Sequence, residues 1–351
     1  MLDGYSTCLV HWIGEAQHSD QGPGLPNSLW LWASLLGVMI TAILFLSTIS
    51  APEPGRYQPS RAPLAVETRA GLELPREGLR ALSYRVTWPK TGGPYPVLVI
   101  SHGMYGSEDG LLPLTQHWAS YGYVVFQPTH DDSLRYADPE MRRAALRGET
   151  NNIGSRNQRP KDVSLILDSL GKIEKAVPEL KGKIDSKVVG MGGHSFGAWT
   201  TQVVAGMKHG LRGTTMSDPR LQAFLAISPH GVQGGITKEG LAAMRGPMMG
   251  ISGDKDDVRG MEDIKTFRQG AFYAGPKGQQ TLVWIKDADH GFGGINGREG
   301  ANRSRNPKHV QMVQDAGLAW WDAKLKRDAA AEKWLREKEI EKLGGVQLLT
   351  R

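Results

Sequence analysis

Cysteine is almost absent from this sequence, in which Cys8 is the single cysteine among 351 residues. One cysteine excludes an internal disulfide framework and a cysteine-rich metal site, so packing must stabilise the fold. Blocks of charge are also scarce, because the net charge of +6 is spread along the chain. No basic block is interleaved with aromatic residues, and we therefore expect no nucleic-acid partner.

The composition is that of an ordinary globular protein, 40% hydrophobic and 22% charged, which supports a sizeable core. One uncharged run stands apart near the N-terminus. A polar leader over residues 1–28 precedes LWLWASLLGVMITAILFLSTI, which is about long enough to span a bilayer as a helix. We predict a transmembrane or signal-anchor segment over 29–50, a Pro-rich linker over 51–64 and a folded domain over 65–343. A buried N-terminal helix is the alternative, which the detaching linker disfavours.

The residues around this apolar segment give mixed evidence on its topology. No Lys or Arg precedes it, its leader is acidic, and Thr48 and Ser50 offer only a weak cleavage site, all unlike a standard export signal. Arg56, Arg61 and Arg69 follow it and would hold the next domain in the cytoplasm. We expect a protein that is membrane-anchored through residues 29–50 or exported, with the periplasmic or extracellular side slightly favoured.

From residue 66 onward, short apolar runs alternate with segments of helical periodicity. Residues 66–74 and 82–88 should pair as a hairpin, and the alternation that follows is typical of an α/β sheet with mostly parallel strands. Loops after the carboxyl ends of parallel strands gather at one edge, where active sites form. Further strands are predicted at 95–101, 123–127, 188–191, 221–227, 248–252 and 281–285, and helices at 108–121, from Pro160, at 198–207 and at 308–343, the last one exposed beyond Lys326.

The most informative stretch is KVVGMGGHSFGAWTTQVVAGM, which passes from an apolar strand through a tight turn into a helix. Gly193 and Gly197 flank Ser195 where side chains would collide across such a turn, and the turn strains the serine and exposes its hydroxyl. This is the G-x-S-x-G pattern of a nucleophile elbow. Because the chain has 44 glycines, the bare pattern also arises by chance; its weight comes from the strand before it, the helix after it and the partners further along the chain.

A nucleophilic serine needs a base with a pKa near 7 and a carboxylate that orients the base. His290 follows the last predicted parallel strand, and Asp254, Asp256 and Asp257 follow the strand before it. The order Ser, Asp, His is the one expected with this elbow. A surface histidine is the alternative for His290, and the residues alone leave the choice of carboxylate open.

The loop after the predicted strand 95–101 carries two glycines, in the sequence HGMYG. Backbone N–H groups in such a loop, together with the N–H after the nucleophile, can bind a developing oxyanion. We assign this role to Met104 and Phe196. A plain strand-to-helix turn in which His102 only packs is the alternative.

A long polar stretch between Asp131 and Asp162 is rich in arginine. It could recognise an anionic group on a substrate, but such a stretch is usually a solvated face, and we favour that interpretation. Its arginines are Arg135, Arg142, Arg143, Arg147, Arg156 and Arg159.

Five segments resemble the α/β-hydrolase superfamily, in particular the esterases similar to platelet-activating-factor acetylhydrolases and dienelactone hydrolases, and more loosely cutinases and polyester hydrolases. They are SHGMYGSEDG, GYVVFQPTHDDS, RPKDVSLILDSL, GHSFGAWT and DADHGF. The resemblance covers roughly residues 80–326. It implies an α/β-hydrolase fold with an eight-stranded, mostly parallel sheet flanked by helices, a serine acyl-enzyme mechanism and no cofactor.

Two departures from the resembled families matter. Dienelactone hydrolases carry a cysteine nucleophile, whereas this chain has Ser195. The acetylhydrolases place their acid after the strand that follows the elbow, where this chain has Ser228 and Pro229. The resemblance then moves the acid to the next strand, as in cutinases, and its spacing from the strand's last glycine selects Asp256. Asp289 adjoins His290, so its side chain should diverge from the imidazole.

The sequence therefore predicts a serine hydrolase that cleaves small carboxylic esters of short to medium acyl length, with Ser195, Asp256 and His290 as catalytic residues and with neither cofactor nor metal. No long apolar insertion forms a lid, because residues 231–246 are few and rich in glycine. Another acyl hydrolase is the alternative: a phospholipid acetylhydrolase, polyester hydrolase, thioesterase, amidase or peptidase. A non-catalytic, membrane-tethered binding domain is the alternative of a different class.

Overall fold

A central β-sheet organises the computed structural model, which describes residues 53–147, 153–210, 213–257, 263–297 and 305–351. The sheet has nine strands in the order β1-β2-β4-β3-β5-β6-β7-β8-β9. Strands β3 to β8 run parallel to their neighbours among themselves, whereas β1, β2 and β9 join antiparallel at the two ends. The strands are β1 (Val66–Leu74), β2 (Leu82–Pro89), β3 (Tyr95–Ser101), β4 (Val124–Thr129), β5 (Ile184–His194), β6 (Leu221–Ile227), β7 (Met248–Lys255), β8 (Gln280–Asp289) and β9 (Val346–Thr350).

Helices cover both faces of the sheet, which is why its central strands are apolar on both sides. The β3 sequence YPVLVIS and the β6 sequence LQAFLAI are almost entirely buried. The helices are α1 (Leu112–Ser120), α2 (Pro139–Arg147), α3 (Ile153–Ala176), α4 (Phe196–Val204), α5 (Lys238–Ala242), α6 (Ile264–Ala274), α7 (Pro307–Lys324) and α8 (Ala329–Arg336). The predicted α/β architecture with a mostly parallel sheet is confirmed.

The core lies in two layers, one on each face of the sheet. On one face, Trp118 of α1 meets Trp321 of α7 edge to face, with ring centroids 6.1 Å apart. On the other face, α3 and α4 bury apolar side chains such as Val163 and Val203 against β3 and β5. Both layers pack against the faces of the sheet and leave the carboxyl edge of its parallel strands free for loops.

The prediction of eight strands and of one long C-terminal helix was wrong. Helix α7 ends at Lys324, Asp328 caps a separate helix by accepting bonds from two backbone N–H groups of α8, and the chain then turns through Gly344 and Gly345, both at positive φ, into β9. The residues beyond Lys326 are not all exposed, because Trp334, Leu335, Ile340 and Leu343 are buried. The sheet thus continues past residue 343, where the sequence analysis ended the domain.

Helix α3 also begins earlier than predicted. Pro160 was expected at its start, but the helix begins at Ile153 and holds Pro160 in its interior. An interior proline removes one helical hydrogen bond. Here the residue before it, Arg159, is buried and makes several hydrogen bonds outside the helix, which holds the helix in place despite that loss.

Part of the predicted linker packs on the domain. Tyr57 is buried, and its hydroxyl donates to a carboxylate oxygen of Asp322 over 2.9 Å. Arg56 forms an ion pair with Asp315 on α7. The predicted segment 29–50 lies outside the described residues, and within the ranges that are described no helix has both the length and the apolar character needed to cross a bilayer.

Candidate active site

Ser195 occupies a sharp turn between β5 and α4. Its φ of 57° and ψ of −116° are strained for a residue with a side chain. A Cβ on Gly197 would lie 2.0 Å from the carbonyl oxygen of Ser101, and one on Gly193 would lie 2.5 Å from the backbone of Gly197. The backbones approach so closely here that only glycine fits, as expected from the sequence, and the turn leaves the serine hydroxyl at the carboxyl edge of the sheet.

The structure brings Ser195, His290 and Asp256 together from three strand ends. Nε2 of His290 lies 2.9 Å from the Ser195 hydroxyl oxygen, and Nδ1 lies 2.6 Å from a carboxylate oxygen of Asp256. A carboxylate only accepts, so Nδ1 carries a proton and Nε2 of the neutral ring accepts from the hydroxyl. Asp256 is fully buried, whereas the His290 side chain keeps 12% of its surface exposed. The arrangement can move a proton from the serine to the imidazole.

The other carboxylates near the site have separate tasks. Asp254 accepts from the indole N–H of Trp284 over 2.7 Å and from the backbone N–H of Asp287 over 3.1 Å, so it ties the end of β7 to β8. Asp289 accepts from the N–H of Gly291. Asp257 is exposed. Asp263 caps the next helix, α6.

Two residues that the sequence analysis missed hold the Asp256 carboxylate. The hydroxyl of Ser252 donates to it over 2.7 Å. Arg268 of α6 is 1% exposed, and its guanidinium lies 3.2 Å from the same carboxylate. Burial lowers the pKa of Arg268, an effect that Asp256 opposes. Nothing local in the sequence of α6 marks this arginine, since its partners lie at other strand ends.

Arg268 also connects two loops of the site. It donates to the backbone carbonyl of Asp256 over 3.0 Å and to those of Ser228 and Pro229, over 3.0 and 3.1 Å, after β6. The loop that carries Asp256 is therefore fixed to the loop that follows β6. A guanidinium suits this task because its N–H groups point in several fixed directions at once.

Two further histidines adjoin the site. His194 lies beside Ser195 in sequence but contacts His290: its Nε2 lies 2.8 Å from the His290 carbonyl oxygen, to which it donates. His230, after β6, makes a hydrogen bond to the Ser195 backbone, while burial and the charge of Arg268 lower its pKa to about 3. His230 is therefore neutral near pH 7 and supports the turn.

The loop that carries Met104 lies against the elbow. A Cβ placed on Gly103 would stand 3.6 Å from the Cβ of Ser195. Met104 is 47% exposed, whereas Phe196 is the first residue of α4 and its ring is buried. The two residues predicted to bind an oxyanion thus belong to backbone segments on either side of Ser195.

The Arg-rich stretch is not simply a solvated face. Arg156 is exposed, but Arg159 is completely buried beneath the loop of Met104, which corrects the favoured interpretation for that residue. Arg135 pairs with the buried Glu108 and with the exposed Asp109.

Comparison with known proteins adds two findings. A cutinase of Thermobifida fusca (strain YX) is 22% identical over 212 residues, which cover 58% of this chain and 60% of the cutinase. The model of the dienelactone hydrolase family matches residues 79–317. That match covers more than half of the chain and includes the elbow, the acid and the histidine. Although a serine stands where a cysteine was expected for this family, the chain belongs to the dienelactone hydrolase family of the α/β-hydrolase superfamily.

Proposed function

We propose that this protein is a serine hydrolase that cleaves carboxylic esters through an acyl-enzyme intermediate. The observation that carries the proposal is the continuous hydrogen-bonded chain from the strained Ser195 through His290 to the buried Asp256. Family membership and the likeness to a cutinase support ester cleavage as the general reaction.

In the proposed mechanism, the hydroxyl oxygen of Ser195 attacks the ester carbonyl while its proton passes to Nε2 of His290. Asp256 accepts a hydrogen bond from the Nδ1–H group of His290 and stabilises the imidazolium that forms. The carbonyl oxygen becomes an oxyanion and accepts from the N–H groups of Met104 and Phe196, each worth about 3 kcal/mol of transition-state stabilisation. His290 then returns the proton to the departing alcohol, and water activated by His290 releases the acid.

The acyl length of the substrate is proposed from the segment that follows β6. A cavity of about 790 Å³ is lined by residues of α6 and of the segment after β6. Its lining includes Phe267, whose ring lies 5.9 Å from that of His230. Apolar Val232 and Tyr273 share its lining with Lys238 and Asp263. Residues 231–246 are few and rich in glycine and offer no long apolar insertion that could cover a long alkyl chain, so we propose short and medium acyl groups.

Activity measurements test the function and its chain-length preference together. Hydrolysis of p-nitrophenyl esters from acetate to palmitate should be fastest for short and medium chains, without a jump above the solubility limit of the substrate. Ser195→Ala should abolish both turnover and labelling by a fluorophosphonate probe. Matched anilides and thioesters distinguish an esterase from an amidase or thioesterase, and a wild-type protein that the probe leaves unlabelled would refute a serine hydrolase.

We also propose that residues 29–50 attach the protein to a membrane or direct its export. The support is the uncharged length of the segment in the sequence. The full chain should sediment with membranes and resist carbonate extraction, whereas a chain that begins at Glu53 and keeps the packed Arg56 and Tyr57 should not. Equal extraction of both chains would contradict attachment, and cleavage near residue 50 would indicate export.

A further inference from the structure

Arg159 is a buried cation directly beneath the loop that follows β3. It has no measurable exposure, although it belongs to a helix whose neighbouring Lys161 is exposed. Its guanidinium donates to the backbone carbonyl of His102 over 2.7 Å and to that of Gly103 over 3.2 Å. A buried arginine that binds two successive carbonyls of one loop fixes the path of that loop.

The second of these carbonyls belongs to the same peptide unit as the N–H of Met104. The peptide group is planar and trans, so the direction of the Gly103 carbonyl determines the opposite direction of the Met104 N–H. His102 holds the same carbonyl. Its Nε2 accepts from the backbone N–H of His130 over 3.0 Å, which leaves the proton on Nδ1, 2.6 Å from the Gly103 oxygen. The backbone N–H of Gly106 donates to the same oxygen over 3.1 Å, so three donors set the plane of this peptide.

Arg159 also touches the residue that carries the other proposed oxyanion donor. Its guanidinium carbon lies 4.2 Å from the centroid of the Phe196 ring, in a cation–π contact. Phe196 is the first residue of α4, directly after Ser195. One side chain thus contacts both backbone segments that flank the nucleophile.

The guanidinium is itself held in place by a buried carboxylate. Asp132 accepts from its Nε and Nη2 over 2.9 and 2.8 Å and is 1% exposed. Burial opposes ionisation of Asp132, but the charge of Arg159 outweighs it and keeps the pKa of this carboxyl below its usual range. A bidentate, buried pair of this kind leaves the guanidinium little freedom to move.

A second Ser-His-Asp chain lies behind this pair and is wholly buried. Nη1 of Arg159 lies 3.2 Å from the hydroxyl of Ser101, which contacts Nε2 of His130 at 2.9 Å, and Nδ1 of His130 donates to Asp162 over 2.8 Å. All three members have no exposure, so a substrate does not reach them. Burial, and then the charge of Arg159, lower the pKa of His130 and keep it neutral. The chain supports the guanidinium and takes no part in acyl transfer.

We propose that Arg159 is a positioning residue that aims the N–H of Met104 at the oxyanion, an inference that rests on the ester hydrolase function proposed above. The buried groups around Arg159 then contribute to turnover and not to stability alone. Without the guanidinium, the carbonyl of Gly103 keeps only His102 and the N–H of Gly106 as donors, and the N–H of Met104 is freer to tilt away from the reacting oxygen.

The first test separates positioning from stability by kinetics. In the full chain, Arg159→Gln should lower kcat on p-nitrophenyl butyrate by about 10- to 100-fold, part of the loss expected when an oxyanion donor is removed, with KM changed by less than about 3-fold. Arg159→Lys keeps the charge but not the planar fork and should fall between. Lys161→Gln, the exposed neighbour on the same helix, is the matched control and should behave as wild type.

The double variant Arg159→Gln/Asp132→Asn decides between the two roles. The single variant leaves the carboxylate of Asp132 buried and unpaired, which destabilises the fold. The double variant removes that charge yet keeps an acceptor for the N–H of Tyr105, which Asp132 binds over 3.3 Å. We expect its melting temperature to recover towards wild type while kcat stays low. Recovery of kcat together with stability would show a merely structural role and overturn the proposal.

A second readout does not depend on any activity. In protein labelled with ¹⁵N-methionine, the Met104 amide signal can be assigned from its loss in Met104→Leu. Arg159→Gln should shift this signal and leave most other methionine signals in place. An unchanged Met104 signal would overturn the positioning role even if the protein proves to be an esterase, and a shift would support it even if the wild type hydrolyses no ester.

Discussion

At the scale of single residues, the site depends on which carboxylate reaches the imidazole. Three aspartates lie within four positions at the end of β7 or directly after it, yet among them only Asp256 turns inward, where Ser252 and Arg268 hold it. Asp254 instead faces Trp284 and Asp257 faces solvent. The three aspartates have identical side chains, but the fold places each of them in different surroundings.

The first prediction follows from that difference. Asp256→Asn should keep the fold but leave His290 in the wrong tautomer, so that kcat falls by up to about 10⁴-fold. Asp254→Asn breaks only the contacts between strand ends and should change kcat by less than a few fold. Both variants are assayed on one ester, with circular dichroism to confirm folding. Turnover close to wild type in Asp256→Asn would refute the assignment.

At the scale of elements, the elbow is the tightest contact in the site. Gly197 at the start of α4 meets the backbone of Ser101 at the end of β3, so neither strand nor helix can move without the other. This contact sets Ser195 and the loop of Met104 at a fixed separation. Glycine here is a steric requirement, unlike Gly171 in α3, around which a Cβ would meet nothing within 4 Å.

These two glycines give the second prediction. Gly197→Ala should destabilise the protein by about 3 kcal/mol or more, because backbone on both sides must shift to admit the methyl group. Gly171→Ala should stabilise it by about 0.5–1 kcal/mol, since alanine is the better residue in a helix interior. Urea unfolding of both variants measures the change. A Gly197→Ala protein as stable and active as wild type would contradict the geometry of the elbow.

At the scale of the whole molecule, several buried histidines make stability depend on pH. Burial lowers the pKa of His102 and His130, and it lowers the pKa of His117 to about 4. Each of these groups is neutral in the folded protein between its lowered pKa and the value of about 6.5 that it has when unfolded. In this window the unfolded chain binds more protons, so acid favours unfolding.

The third prediction uses His117, which lies on α1 outside the candidate active site. The free energy of unfolding should be highest above about pH 6.5 and should fall as the pH is lowered towards 4. His117→Gln removes one group and should reduce the slope of that free energy near pH 5 by about 1 kcal/mol per pH unit, with esterase activity unchanged. Urea titrations between pH 4.5 and 7 give the slope, and an unaltered slope would contradict the lowered pKa of His117.

The sequence by itself determined the features that depend on residues close together in the chain. Apolar runs of strand length predicted the parallel strands. The collision of side chains in a tight turn predicted Ser195 between its glycines, because the close approach of Gly193 to Gly197 lies within five successive residues, although Gly197 also meets Ser101 far away in the chain. The chain order of serine, aspartate and histidine pointed to the strand ends that the structure brings together, although the choice of Asp256 needed a resemblance to known families.

Only the tertiary structure decided what lies far apart in the chain. Arg159 and Ser101 are separated by 58 positions and Arg268 and Ser228 by 40, and neither arginine differs in local pattern from a solvated one. The C-terminal segment was predicted as one helix that is exposed beyond Lys326, because charged residues dominate that part. The strand β9 instead pairs with the edge of β8. Burial of a charge depends on a partner that folding brings to it, which no window of sequence contains.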